Sequence, residues 1–158
     1  MEGVRVATAD DAQRCFELAE EFVSGLALRR GGSLLLAQSG ASTGWISDVA
    51  RFGQLIDDPD RLVLIGTLDG MVTGLAMGHV EPLPDGRPLG HLDACYVEPD
   101  ARGLGLGRLL LDGVVGWLSD RKCVGVDGAA LPGDREAKNF FEASGFKARL
   151  LTMHHTFE

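Results

Sequence analysis

The stretch from Leu92 to Leu111 limits the fold more than any other part of the chain. An alternating strand pattern ends at Val97, Glu98-Pro99 supplies a turn, and Gly103, Gly105 and Gly107 then stand at alternate positions. These glycines open directly into a helical stripe made by Leu106, Leu109, Leu110, Val114, Trp117 and Leu118. A strand, a glycine loop and a helix in that order form an anion site. The first turn of a helix leaves backbone N–H groups unpaired and carries partial positive charge, and glycines let a diphosphate approach that backbone without a Cβ in the way. Arg102 and Arg108 add positive charge locally. Gly113 and Gly116 weaken the helix intrinsically, but they let it lie close to a sheet.

The other elements fit around this unit. Val4-Arg5-Val6 reads as a short strand, followed by a helix capped by Thr8 or Asp10, with Ala12, Cys15, Phe16, Ala19, Phe22, Val23 and Leu26 at helical spacing. Residues Arg30 to Gly44 are rich in Gly and Ser around Leu34-Leu35-Leu36 and read as a loop with an apolar patch. A second helix is expected from Thr43 to Ile56, with Trp45, Val49, Phe52 and Ile56 on one side and Asp57-Asp58-Pro59-Asp60 as its stop. Arg61 to Leu68 and Met71 to Val80, joined by Asp69-Gly70, form a tight antiparallel hairpin. A turn-rich connection through Pro82, Pro84 and Pro88 leads to a strand over Leu89 to Val97. Past the glycine loop and its helix, Lys122 to Ala130 is a further strand, Pro132-Gly133-Asp134 starts a helix through Ala137, Phe140 and Phe141, and Gly145 ends it. Leu150 to Phe157 reads as a final strand or hairpin arm. Hairpins mixed with a few helices imply an α/β or α+β sheet rather than a uniform βαβ series, and 158 residues suit a single domain over 1–158.

A formal charge of −8 argues against a chain whose main partner is nucleic acid or an anionic membrane, and it favours a cationic substrate. Cys15, Cys95 and Cys123 lack metal-ligand spacing, and three cysteines cannot complete a disulfide framework, which suits free thiols in the cytoplasm. The start has no signal-peptide pattern and no apolar run is long enough to span a bilayer. His154-His155 points to opposite faces of a strand with no third ligand in view, so no metal is expected, and one of the pair could line an acceptor pocket.

Other phosphate binders fail on the same residues. A Walker loop needs Gly-Lys followed by Ser or Thr, where this chain has Gly107-Arg108-Leu109, and a dinucleotide fingerprint from Gly103 needs Gly or Ala where Arg108 stands. The run Cys95-Tyr96-Val97-Glu98-Pro99, then Arg102-Gly103-Leu104-Gly105-Leu106-Gly107-Arg108, resembles the coenzyme-binding motif of the GNAT superfamily of N-acetyltransferases: Arg or Gln, two residues, Gly, one residue, Gly or Ala. Arg102, Gly105 and Gly107 meet that pattern. Ala137, Phe140, Phe141, Glu142, Gly145 and Phe146 are similar to the family's last conserved helix. The resemblance spans roughly Val63 to Phe157. It implies a mixed, strongly twisted central sheet flanked by helices, acetyl-CoA as cosubstrate without a metal, a small-molecule or peptide amine as acceptor, and a homodimer as a possible assembly. It also implies that backbone groups of Cys95 and Val97, around Tyr96, pair with the pantetheine arm. The N–H groups of Gly103, Leu104, Gly105, Leu106, Gly107 and Arg108 would then hold the pyrophosphate, with Asp134 and Phe141 beside the coenzyme.

Acyl transfer from a thioester to an amine needs a neutral amine, a stabilised oxyanion and a proton for the leaving thiolate. An alkyl ammonium with a pKa of about 10 must first lose its proton. Alternation puts His91, Asp93, Cys95 and Val97 on one strand face. The resemblance implies a carboxylate base at either position, since family members of different kinds carry one at each, and Asp93 is the first candidate. His91 could instead be the base, with Asp93 setting its tautomer. Glu81, at the end of the preceding strand, is a weaker candidate. Where many family members carry a thiolate-protonating tyrosine this chain has Phe141, and the family's helix-opening Asn is Asp134. Tyr96 and Ser144 are alternative donors, and an acyl-CoA-binding module without catalysis is the alternative function. Cys95 is read as a core residue rather than a nucleophile.

Overall fold

The computed structural model describes residues 1–39 and 47–157. Among these residues five strands form one sheet in chain order: β1 (Glu2–Val6), β2 (Arg61–Leu68), β3 (Met71–Pro82), β4 (Pro88–Val97) and β5 (Val126–Asp127). The first four pair antiparallel and β5 runs parallel to β4, so the sheet is mixed. Asp69 (φ 50°) and Gly70 (φ 84°) both occupy the left-handed region, the geometry of a two-residue hairpin turn between β2 and β3.

Helices cover both faces, and this explains the unbroken apolar run of β2. Val63 and Ile65, with Leu75 and Met77 of β3, face α1 (Ala12–Ala27), α2 (Gly32–Ser39) and α3 (Val49–Asp57), meeting Cys15, Leu18, Phe52 and Leu55. Leu62, Leu64 and Ala76 face α4 (Leu106–Asp120) and its buried Leu106, Leu110, Val114 and Leu118. The approach of α4 depends on glycines: a Cβ on Gly74 would lie 2.9 Å from Leu110 Cδ1, and one on Gly78 would lie 2.8 Å from Val114 Cγ1. At the entry to α1, Thr8 N–H donates to the Asp11 carboxylate (2.7 Å), which Arg5 grips with both terminal nitrogens (2.8 and 3.0 Å). That pairing holds the Asp11 carboxyl well down, at about 2.

Four elements depart from the sequence pattern. The Arg30–Gly44 segment contains α2 rather than a loop over its whole length, because Leu36 is buried in the core and that burial outweighs the poor helix propensity of Gly and Ser. Helix α3 starts at Val49, where Asp48 caps it by accepting from Arg51 N–H (2.8 Å); Thr43 and Trp45 lie outside the described residues. The strand expected over Lys122–Ala130 shrinks to Val126–Asp127. Beyond it, the ring of Phe141, on α5 (Arg135–Ala143), is packed so closely that a Cβ on Gly128 would lie 2.7 Å from it. Leu150 to Phe157 forms no strand. Arg149 pairs with Asp127, and beyond it Leu150, Leu151, Met153 and Phe157 remain exposed; an alternating pattern becomes a strand only where a sheet edge takes up its backbone bonds.

Candidate functional site

β4 and β5 pair only at Gly90–Val126 and His91–Asp127. From Leu92 onward β4 therefore runs toward the glycine loop without a β5 ladder beside it. The loop takes the form that its glycines permit. Gly103 (φ 82°) and Gly105 (φ 87°) are left-handed, and no atom lies within 4 Å of where a Cβ would stand on either one. The first bond into α4 runs from Leu109 N–H to the Gly105 carbonyl (3.2 Å), which leaves the N–H groups of Leu106, Gly107 and Arg108 at the open helix end. Free N–H groups at an open helix end suit an anion. Gly107 packs closer, with a Cβ position 3.6 Å from Phe140 and 3.8 Å from Val97.

The arginines of the loop are engaged. Arg102 Nε donates to the Val97 carbonyl (2.7 Å), and its guanidinium lies 5.5 Å from the centre of the Tyr96 ring, so it fastens the loop to the end of β4. Arg108 pairs with Asp112 (3.0 Å) and donates to the Ala143 carbonyl (3.2 Å), joining α4 to the end of α5. Asp134 caps α5 by accepting from Ala137 N–H (3.1 Å), with Arg29 3.5 Å from its other oxygen. Phe141 packs between Phe140, Phe146 and Gly128. Leu104 is exposed at the loop tip.

Strand β4 carries a bulge. Ala94 lies opposite Met77 and Leu92 opposite Gly78, so Asp93 is an extra residue in the ladder. The bulge reverses the alternation beyond it and corrects the expected grouping. His91 and Asp93 share the sheet face of α1, whereas Cys95 and Val97 turn to the α4 face, where Cys95 Sγ lies 3.7 Å from the Gly107 carbonyl. Burial pushes the Cys95 thiol up to about 12, and that of Cys15 likewise. Neither is a ready nucleophile at neutral pH.

His91 and Asp93 are neighbours without being partners. Asp93 Oδ2 is 2.8 Å from His79 Nδ1, and Glu81 Oε2 is 2.8 Å from His91 Nε2. The two imidazoles, directly opposite in the β3–β4 register, stack with centroids 5.0 Å apart and 11° between planes. Arg61 of β2 approaches the same Asp93 oxygen at 3.7 Å. Exposure rises outward through this cluster, from 16% for the Asp93 side chain through 27% for His79 and 29% for His91 to 54% for Glu81. The two alternative proton donors are occupied. Tyr96 Oη donates to Glu21 (3.2 Å), and burial, with Glu21 beside it, holds the phenol above its ordinary value; Ser144 Oγ donates to the Phe140 carbonyl (2.8 Å).

The acetyltransferase (GNAT) family model matches residues 34–146, well over half of the chain. The chain belongs to the GNAT acetyltransferase family. No curated protein matches it by sequence. Among solved structures it is similar to a ribosomal-protein-alanine N-acetyltransferase from Brucella melitensis biovar Abortus 2308, with 19% identity over 99% of each chain and a TM-score of 0.68. It is also similar to AAC(6')-Iy in complex with the bisubstrate analogue CoA-S-monomethyl-acetylneamine, with 15% identity over 100% of this chain and 99% of that one and a TM-score of 0.75. A Trypanosoma brucei acetyltransferase matches at 20% identity over 99% and 100% of the two chains, with a TM-score of 0.71. At these identities the likeness is one of fold.

In this GNAT domain the residue that sequence patterns missed is His79. The signal was available, because a register that places Pro82 opposite Pro88 also places His79 opposite His91. Among the described residues of the domain, no group of three His, Cys, Asp or Glu side chains is placed to hold a metal, and no helix is long and apolar enough to cross a membrane. His154 and His155 lie in the exposed C-terminal segment, where the His155 ring contacts Phe157.

Proposed function

We propose that this domain is an acetyl-CoA-dependent N-acetyltransferase of the cytosol that moves acetyl directly to a primary amine. The observation that carries the reading is the left-handed backbone at Gly103 and Gly105, with open space where a Cβ would stand on either, beside the free N-terminal end of α4. In this reading the N–H groups from Gly103 to Arg108 hold the pyrophosphate, backbone groups of Cys95, Tyr96 and Val97 on the unpaired part of β4 align the pantetheine, and Asp134 and Phe141 border it. Acetyl-CoA supplies the activated acetyl thioester.

The residues of the chain manage protons and water. Asp93 takes the proton from the incoming ammonium, with His91 as the other possible acceptor in the same cluster. Direct transfer is supported by the placement of Cys95, which is turned to the opposite sheet face from this cluster with burial holding its thiol protonated. The acceptor is a small-molecule or peptide amine, and the net charge of −8 favours a cation. Calorimetry with acetyl-CoA tests the first half of the proposal: absence of binding sinks it. Phe141 motivates a second reading, an acyl-CoA-binding module without catalysis, since phenylalanine has no proton to give. Binding of acetyl-CoA without thiol release for any amine would decide for that second reading.

A further inference from the structure

The two oxygens of the Asp93 carboxylate have different surroundings. Oδ2 is engaged by His79 Nδ1 at 2.8 Å and approached by Arg61 at 3.7 Å, while no hydrogen bond from a described residue reaches Oδ1. We propose that His79 is a positioning residue that clamps Oδ2 and so turns Oδ1 toward the acceptor amine; this rests on the reading of Asp93 as the base.

The bulge supplies the need for such a clamp. A bulged residue has no ladder partner of its own, so the backbone bonds of β3 do not fix the direction of its side chain. His79 does so from the neighbouring strand. A carboxylate only accepts, so Nδ1 carries a hydrogen, and in the neutral ring that makes Nδ1–H the tautomer. The ring of His79 is fixed in turn by its stack on His91, and His91 is held by Glu81. The arrangement repeats one diagonal twice, Asp93 to His79 and His91 to Glu81, about a directly opposed imidazole pair. Neither histidine needs to touch the substrate for the clamp to act.

Two measurements test this. In steady-state kinetics with an amine that the domain acetylates, Asp93→Asn and His79→Ala should each lower kcat about 10- to 100-fold, with KM for acetyl-CoA changed no more than about twofold. His79→Ala in the Asp93→Asn background should cost nothing further, because the two act as one unit. His79→Asn, whose amide N–H can replace Nδ1–H, should recover most of the activity. A normal kcat for His79→Ala alongside an impaired Asp93→Asn overturns the clamp alone, whereas a normal kcat for Asp93→Asn overturns the assignment of the base. His79→Asn no better than His79→Ala also overturns the clamp, since the imidazole itself would then be required. Long-range ¹H–¹⁵N correlation spectra of the wild-type protein provide a readout independent of turnover: neutral His79 should be the Nδ1–H tautomer, and an Nε2–H tautomer refutes the inference even if no amine is acetylated.

Discussion

Replacing Gly105 by alanine separates what the loop does for the fold from what it does for the ligand. At φ 87° an L side chain is strained by about 1–2 kcal/mol. No atom lies within 4 Å of the added methyl, so there is no packing penalty to add. The lower entropy of alanine in the unfolded chain offsets about 0.4–1 kcal/mol. The net cost to stability is therefore about 1 kcal/mol, and for a domain of this size the melting temperature should fall by roughly 2–4 °C. Binding should suffer more. The methyl fills the space proposed for the pyrophosphate, and losing one hydrogen bond to a charged group costs about 1.5–3 kcal/mol, or roughly 10- to 100-fold in Kd. Thermal melts of the free protein and titration calorimetry with acetyl-CoA measure the two quantities separately. An unchanged Kd would refute the cradle. A melting temperature lowered by more than about 10 °C would show instead that the loop is an element of the core.

Gly78→Ala should destabilise by about 1–3 kcal/mol through overpacking, since its Cβ would stand 2.8 Å from Val114 Cγ1 and 3.0 Å from the His91 carbonyl oxygen; an unchanged melting temperature would mean that α4 does not lie this close to β3. For Asp11, the carboxyl is held at about 2 in the fold against 3.8 when free, so its stabilisation is present above pH 4 and is lost as pH falls through about 2. Denaturant titrations should therefore show Asp11→Asn less stable than wild type at pH 7 by about 1–2 kcal/mol, discounted for the half-exposed Arg5, with the difference gone near pH 2; a gap that persists there contradicts the Arg5 pairing. Cys95→Ala should keep kcat within about threefold, and a loss beyond about 100-fold would restore a covalent role for the thiol.

The parts of the site set by local geometry were legible in the chain. Gly103, Gly105 and the start of α4 follow from glycine's access to positive φ and from the unpaired N–H groups of a helix end, and the Asp69-Gly70 hairpin follows from turn chemistry. Simple alternation along β4 failed at one residue. The bulge at Asp93 carries no composition signal, yet it moves Cys95 and Val97 to the other face and leaves His91 beside Asp93 without a bond between them. Pairings across strands, Asp93 with His79 and Glu81 with His91, require the register as well as the pattern. Helix α2 was hidden for a different reason: its glycine and serines argue for a loop, and only the burial of Leu36 against the other helices explains why it winds. Where β5 stops was not legible either: just past it Gly128 lies against the ring of Phe141, a contact between residues distant in sequence.

Mass-resolved product analysis in parallel with thiol release tests whether acetyl passes directly to an amine through Asp93. With acetyl-CoA and a panel of polyamines, aminoglycosides and peptide amines, one free thiol should appear for each acetylated amine formed, and in Asp93→Asn both signals should appear about 10- to 100-fold more slowly without loss of acetyl-CoA binding. Acetyl-CoA binding that yields no acetylated amine from the panel, or equal turnover by Asp93→Asn, would contradict direct transfer through Asp93.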